Sequence, residues 1–151
     1  MARYYLDSSA LVKRYHPEHG SFDVDSLFAI AGNQFFSSRL ALVEVRSALA
    51  RLVREHVLAV EEYRKLIARL DADVATGVLA VAAVSTQRLE DASVILGSHG
   101  LADNIRTLDA IHLSTAAALH GRAAIAGFVA ADQRLLASAA AGCGLPVLDV
   151  A

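Results

Sequence analysis

The chain has 151 residues, of which 55% are hydrophobic and 20% are charged, and its formal net charge is −2. This length and composition are typical of one folded domain with its own core, and they exclude a disordered chain. Aromatic residues make up only 6% of the chain, which argues against a base-stacking platform, and the single Cys143 excludes an internal disulfide.

The hydrophobic pattern alternates between short strand-like runs and longer helical stripes. The stripe over 40–56 is the clearest helix, and the run over 78–84 predicts a buried strand. In chain order, the predicted elements are a strand at 4–6, a helix ending at 15, a helix at 21–31 capped by Ser21, a strand at 34–37, helices at 40–56 and 60–74, a strand at 78–84, a helix at 85–96, a helix opened by Asn104 or Thr107 and ending at 120, a strand at 125–130, a helix capped by Asp132 and ending at 141, and a strand at 145–148.

Strands separated by helices indicate a parallel sheet with helices on both faces. We therefore predict a single α/β domain over residues 1–151, a three-layer α/β/α fold with a central parallel sheet and a helical hairpin at about 40–74. In open sheets of this kind, ligands bind outside the carboxyl ends of the strands. Polar residues at that edge are therefore the candidates for a functional site.

Two aspartates follow strands directly at this edge. Asp7 comes after the strand at 4–6, and Asp132 comes after the strand at 125–130. Aspartate is also favoured as the N-cap of a helix, and each of these residues precedes one. A capping role and a site role stay open for both residues.

Two further acids come from helices. Asp109 lies in the middle of an apolar stripe, where a lone carboxylate is costly unless it is paired or liganded. The alternative for Asp109 is a buried pair with Arg106 or His112. Glu44 flanks the stripe of its own helix, and its alternatives are an exposed side chain or a partner of Arg51.

Four carboxylates brought to one edge would repel one another and lose hydration unless a cation or protons compensate them. We therefore predict a divalent metal site, and an all-oxygen ligand set suits Mg²⁺ or Mn²⁺ better than zinc. A metal held by carboxylates polarises water and neutralises phosphate, which favours phosphodiester hydrolysis. We interpret His112 as a satisfied core or supporting histidine, not as a ligand.

Basic residues concentrate in the middle of this acidic chain. Residues 39–69 contain seven basic and four acidic residues, a net charge of +3, which leaves −5 for the rest. This segment is either a solvated helix surface or a patch that faces phosphate. The candidate RNA contacts are Lys13, Arg14, Arg39, Arg46 and Arg51.

The order of these elements and acids resembles the PIN-domain ribonucleases, and within them the VapC-type toxins of toxin–antitoxin pairs. The resemblance covers essentially the whole chain and depends on several segments in family-like order. These are YYLDSSALVK at 4–13, SS at 37–38 with EVRSAL at 44–49, LDAIHL at 108–113, AADQRLL at 130–136 and GLPVL at 144–148.

The resemblance implies that four acids form the catalytic metal site, namely Asp7, Glu44, Asp109 and Asp132. Asp7 and Asp109 would be direct ligands of one or two Mg²⁺ or Mn²⁺ ions, and Ser9, together with Ser8, would orient Asp7. Glu44 or Asp132 would act as the base or hold a second ion. The implied activity is metal-dependent endoribonuclease cleavage of single-stranded or structured RNA. The implied partners are a cognate antitoxin and a second copy of the chain as a homodimer.

Two other functions stay open: a PIN-like protein-interaction or RNA-binding module without catalysis, and a housekeeping PIN nuclease. A single cysteine fits a reducing cytoplasm, and charges within the first fifteen residues argue against a signal peptide. No apolar run reaches the ~20 residues that a membrane helix needs. We therefore expect a cytoplasmic protein without a membrane partner.

Overall fold

The computed structural model describes all residues from Met1 to Ala151. The chain forms five strands and seven helices, none of which is long and apolar enough to cross a membrane. In chain order they are β1 (Arg3–Leu6), α1 (Ser8–Lys13), α2 (Ser21–Ala29), β2 (Gln34–Ser38), α3 (Arg39–Arg54), α4 (Val60–Ala75), β3 (Leu79–Ala82), α5 (Thr86–Asp103), α6 (Thr107–Arg122), β4 (Gly127–Ala130), α7 (Gln133–Cys143) and β5 (Val147–Asp149).

All five strands belong to one parallel sheet with the order β3-β2-β1-β4-β5. The first strand is central, because Tyr4 pairs with Phe35 of β2 on one side and with Gly127 of β4 on the other. The carboxyl end of β1 therefore lies between those of its two neighbours. The predicted α/β/α fold with a parallel sheet and a helical hairpin, formed by α3 and α4, is confirmed.

Separate apolar cores hold helices against the two faces of the sheet. Leu6 belongs to the core that α1, α3 and α4 form on one face, whereas Tyr5 belongs to the core of α6 and α7 on the other. Both side chains are completely buried, and they point in opposite directions because side chains alternate along a strand. Asp7 follows them at the point where the central strand leaves the sheet.

The strand predicted at 78–84 is shorter and less buried than expected. It spans Leu79–Ala82, and Leu79 is its only buried residue. The strand lies at the edge of the sheet and pairs only with β2, so the residues after Leu79 are only partly buried. The prediction of a buried strand was wrong there. The last strand also begins later than predicted, at Val147.

Two helix ends differ from the predictions for backbone reasons. Asn104 does not open α6; it ends α5 in a left-handed conformation with φ of 50°, and α6 begins at Thr107. Ser21 is not the cap of α2, because Gly20 occupies that position with φ of 82°. A Cβ on Gly20 would lie 1.9 Å from the carbonyl oxygen of Val150, so glycine lets the C-terminal segment pack there.

Candidate active site at the carboxyl edge of the sheet

Asp7 is the most buried carboxylate of this edge. Its backbone N–H donates to the Val129 carbonyl, which extends the pairing of β1 with β4 by one residue. Its side chain is the N-cap of α1, where Oδ1 accepts from the Ala10 N–H at 2.9 Å. The residue is only 4% exposed and takes part in none of the ion pairs of the structure. The capping role predicted for Asp7 is therefore real.

Burial raises the pKa of Asp7 from its ordinary value of 3.8 to about 6. The nearby His112 ring and the hydrogen bonds from Ala10 and Ser9 oppose the rise in pKa, while the negative charge of Glu44 adds to it. Both Glu44 and His112 therefore lie close enough to act on Asp7. The carboxylate is short of positive charge, which is the condition that a bound cation would relieve.

Ser9 orients Asp7, while the Ser8 side chain makes no hydrogen bond. The Ser9 hydroxyl lies 2.7 Å from Oδ1 and 2.9 Å from Oδ2 of Asp7, and it accepts a hydrogen bond from the Ala131 N–H at 2.9 Å. Ser9 thus connects the start of α1 with the loop that follows β4. Of the two serines predicted to support Asp7, Ser9 alone contacts it.

Glu44 projects from α3, whose N-terminus is capped by Ser38 at the end of β2. Its Oε1 lies 2.6 Å from Nε2 of His112, and its side chain is 22% exposed. Glu44 is therefore neither a freely exposed residue nor a partner of Arg51, which pairs with Glu55 at 3.7 Å. The histidine is buried and both of its ring nitrogens have hydrogen-bond partners, as expected for the satisfied core histidine that the sequence predicted.

Asp132 caps α7 just beyond β4. Its Oδ1 accepts from the backbone N–H groups of Arg134 and Leu135 at 2.9 and 3.3 Å. Its Oδ2 accepts from the Arg134 guanidinium at 2.9 Å, and this partner holds the pKa of Asp132 below its ordinary value. Asp132 therefore has the compensating cation that Asp7 lacks.

Asp109 is half-buried in the first turn of α6, not central to the core as its position in the stripe predicted. Its Oδ2 accepts from the backbone N–H of Arg106 at 2.8 Å. The helical stripe is buried only from Ala110 onward, because the first turn projects beyond the packed part of the helix. The hydrogen bond to Asp132 raises the pKa of the Arg134 side chain, and the charge of Asp109 adds to that rise, so Asp109 lies near this pair.

The fold thus delivers the four predicted acids to one edge as two neighbouring pairs, without joining them into one ligand cluster. The charge of Glu44 contributes to the raised pKa of Asp7, and Asp132 and Asp109 both raise the pKa of Arg134. No three His, Cys, Asp or Glu side chains lie close enough to hold a metal ion together. Each of the four carboxylates is instead hydrogen-bonded to a backbone or side-chain group of the protein. The donors are all hard oxygens, so the chemistry of the edge fits Mg²⁺ or Mn²⁺.

A small cleft opens beside the first pair. Its volume is about 270 Å³, and its lining includes Ser9, Glu44, Arg51 and Ala131. Arg51 is 63% exposed at this cleft, so its guanidinium is free to turn toward an anion. The cleft is the opening through which a ligand would reach Glu44.

The other predicted phosphate contacts differ in whether an acidic side chain already pairs with them. Lys13 is buried and bonds to Glu18 at 3.1 Å, and Arg14 is held by Asp25 at 3.0 Å. Arg46 is held by Asp71. Arg39 is exposed and belongs to no ion pair. The structure therefore leaves Arg39 and Arg51 as the most available of the five.

Sequence reasoning missed two residues of this edge. Tyr5 donates or accepts a hydrogen bond at His112 Nδ1 across 2.9 Å, yet its place inside an apolar strand suggested only packing. Arg134 neutralises Asp132, and its spacing of two residues from that acid was the available signal. Both contacts depend on the fold that brings β1, α6 and α7 to one edge.

Comparison with known proteins adds a family and a fold. The family model for the PIN domain matches residues 4–140. VapC20 of Mycobacterium tuberculosis, a sarcin–ricin loop cleaving toxin, has 17% identity and a TM-score of 0.67 over 89% of this chain and 94% of its own. FitAcB of Neisseria gonorrhoeae has 16% identity and a TM-score of 0.64 over 97% and 96%.

A third structure is VapBC2 of Rickettsia felis bound to a DNA fragment from their promoter. It has 18% identity and a TM-score of 0.56 over 86% of this chain and 87% of its own. At these identities the structures show a shared fold. No curated protein matches the sequence.

Proposed function

Because the chain belongs to the PIN domain family, we propose that it is a metal-dependent endoribonuclease that hydrolyses single-stranded or structured RNA. We further propose that it is the toxin of a toxin–antitoxin pair and acts in the cytoplasm. The observation that carries the proposal is the state of Asp7 at the end of the central strand. This carboxylate is buried, has no ion-pair partner and has a raised pKa.

An acid in this state favours a bound cation over a purely structural role. A helix cap needs only a hydrogen-bond acceptor, which an asparagine supplies without the cost of burying a charge. Glu44 adds a second carboxylate beside it, which makes the cost larger. The combination is expected where a divalent ion supplies the missing positive charge.

Asp7 and Glu44 are the residues that would hold the ion, with Asp109 and Asp132 beside them. A divalent ion there supplies positive charge against the phosphodiester and activates water for hydrolysis. Ser9 fixes the carboxylate of Asp7 through both of its oxygens. Glu44 and Asp132 are the two candidates for the base that takes the proton of the attacking water.

Arg39 and Arg51 are the proposed phosphate contacts, since neither has a tightly held partner. Lys13, Arg14 and Arg46 have a larger part in holding the fold together. An RNA strand that enters the cleft beside Arg51 reaches Glu44 and Ser9. RNA is therefore the proposed ligand of this edge.

The proposed protein partners are a cognate antitoxin that blocks the acidic edge and a second copy of this chain. Similarity of fold to VapBC2 and FitAcB supports the first. Size-exclusion chromatography with light scattering tests the second, with a mass near twice the 16.0 kDa of the chain expected. A mass of one chain at micromolar concentration would exclude the homodimer.

The activity is tested by incubating labelled single-stranded RNA with purified protein in Mg²⁺, Mn²⁺ or EDTA, beside Asp109→Asn. Asparagine still accepts the hydrogen bond from the Arg106 N–H, so the variant is expected to fold. We expect cleavage that requires the metal and is lost in the variant. Equal cleavage by both proteins would show a contaminant or another site.

The toxin role has its own test. Induced expression of the wild type in bacterial cells should arrest growth, and expression of Asp109→Asn should not. Cleavage without growth arrest would favour a housekeeping nuclease. A folded protein that binds RNA without cutting it under any metal condition would favour the non-catalytic module.

A further inference from the structure

Two buried side chains and one partly exposed carboxylate form a hydrogen-bonded series that ends at the acidic edge. The Tyr5 hydroxyl lies 2.9 Å from Nδ1 of His112, and Nε2 of the same ring lies 2.6 Å from Oε1 of Glu44. Tyr5 is completely buried and His112 is 2% exposed. Glu44, at 22% exposure, is the member of the series that reaches solvent.

With an ionised Glu44 and a neutral His112 ring, the chemistry of the three groups fixes the direction of both hydrogen bonds. An ionised glutamate only accepts, so His112 Nε2 must carry the hydrogen that points at Glu44. A neutral ring then presents Nδ1 as an acceptor, and the Tyr5 hydroxyl is the donor that faces it. Tyr5 thereby selects the tautomer that can hold Glu44.

The series also connects three elements that carry the acids of the site. Tyr5 lies on β1 two residues before Asp7, and His112 lies on α6 one turn after Asp109. Glu44 lies on α3. The hydrogen bond between His112 and Glu44 therefore fixes the position of α3 relative to β1 and α6.

The bond occupies one oxygen of Glu44 and leaves the other without a protein partner. A glutamate side chain has three rotatable bonds and at 22% exposure could turn toward solvent. Fixing Oε1 on the buried ring leaves Oε2 for the cleft that Glu44 lines. A carboxylate fixed in this way meets an incoming cation without loss of side-chain freedom.

We propose that His112 is a positioning residue of the active site, which Tyr5 holds in the correct tautomer and which in turn orients Glu44 toward a divalent ion. This role rests on the proposed function, since it presumes that the edge binds a metal. A histidine that only fills the core would leave metal affinity unchanged when an apolar side chain replaces it. The two roles therefore predict different results.

The test compares the full-length wild type with His112→Leu and His112→Gln by calorimetric titration with Mn²⁺ and by cleavage of single-stranded RNA. Loss of a residue that orients a metal ligand typically costs about 10–100-fold in affinity or activity. We expect His112→Leu to lose about that much in both measurements. His112→Gln should recover most of the loss, because its amide can still donate to Glu44.

Ser114→Ala is the matched control, because Ser114 is equally buried on the same helix and bonds to the carbonyls of Arg88 and Ile111. It should keep wild-type Mn²⁺ affinity. A folded His112→Leu with wild-type affinity and cleavage would overturn the positioning role alone. A wild type that neither binds Mn²⁺ nor cuts RNA would overturn the proposed function as well.

Tyr5→Phe keeps the test decisive if His112→Leu does not fold. It removes one oxygen and leaves the ring in place, so the core keeps its packing with Phe128. We expect weaker Mn²⁺ binding, in the same direction as for His112→Leu and by a smaller factor. Unchanged Mn²⁺ affinity in a folded Tyr5→Phe would contradict the role assigned to this series.

Discussion

The hydroxyl of Ser9 bridges both carboxylate oxygens of Asp7, at 2.7 and 2.9 Å. The same oxygen accepts the Ala131 N–H, so the bridge also connects the first helix to the loop after β4. A buried acid with few other partners depends on this one side chain for its orientation. Ser9 therefore controls the geometry of the acid on which the proposed activity depends.

We predict that Ser9→Ala reduces RNA cleavage by about 10–100-fold, the usual effect of removing a group that orients a metal ligand. Ser8→Ala is the matched control, because its side chain makes no hydrogen bond in the structure and the two substitutions remove the same atom. Initial rates with Mn²⁺ in excess measure both. A loss in Ser8→Ala equal to that in Ser9→Ala would contradict the distinction drawn between the two serines.

Asp7 makes the stability of the metal-free protein depend on pH. Its pKa in the folded protein is about 6, against an ordinary value of 3.8, so the folded state binds the proton more tightly than the unfolded state. The associated stabilisation is complete below pH ~3.8 and is lost as the pH rises through about 6. At pH 8 the charged form costs up to about 3 kcal/mol.

The measurement is urea unfolding in EDTA at pH 5 and pH 8, for the wild type and Asp7→Asn. Between pH 5 and pH 8, the unfolding free energy of the wild type should fall relative to that of the variant by about 1–1.5 kcal/mol. Asparagine keeps an acceptor for the Ala10 N–H, so the cap is retained. Parallel pH profiles for the two proteins would contradict the raised pKa.

Bound metal should reverse this cost. A divalent ion that binds only the folded protein stabilises it by about 2.7 kcal/mol when its concentration is 100 times Kd. We expect Mn²⁺ to raise the melting temperature of the wild type at pH 8, and to leave that of Asp7→Asn nearly unchanged. An equal rise in both proteins would show that the ion binds elsewhere.

Two substitutions of Asp132 separate the contribution of its charge from its role as the N-cap of α7. Asp132→Asn retains an acceptor for the Arg134 and Leu135 N–H groups, so unfolding free energy should stay within about 0.5 kcal/mol of the wild type. Asp132→Ala should lose about 1 kcal/mol. Both should lose RNA cleavage if the charge belongs to the site. Full cleavage by Asp132→Asn would restrict Asp132 to the cap.

We predict different phenotypes for the substitution of Arg51, which is free to bind RNA, and of Arg14, which stabilises the fold. Arg51→Ala should weaken RNA binding and reduce the slope of log affinity against log salt by about 1, with little change in stability. Arg14→Ala should instead lower the unfolding free energy by about 1–2 kcal/mol, because it removes the bond to Asp25 and the contact with the Phe28 ring. Filter binding across a salt series and urea unfolding separate them.

The sequence was sufficient for the fold and for the positions of the acids along it. Asp7 and Asp132 follow apolar strands, and that local pattern predicts both a cap and a place at the sheet edge. Periodicity was misleading for Asp109, because an apolar stripe does not reveal where a helix begins to emerge from the core. The sequence also could not reveal the partner of Glu44, since His112 is 68 residues away along the chain.

The sequence also could not reveal which basic residues are paired with acids in the folded protein. Seven positive charges between 39 and 69 suggested a phosphate-facing patch. The structure gives Arg46 an acidic partner in α4 and leaves Arg39 without one. Which charges are free depends on tertiary packing, and composition contains no information about it.

The most direct test of the proposed activity is the single-turnover rate of cleavage of an end-labelled single-stranded RNA across a Mn²⁺ titration, for the wild type and Asp7→Asn. We predict a wild-type rate that rises with Mn²⁺ and saturates, and no metal-dependent cleavage by the variant. A wild-type rate that does not depend on Mn²⁺, or one that Asp7→Asn reproduces, would contradict a metal-dependent nuclease centre at this edge of the sheet.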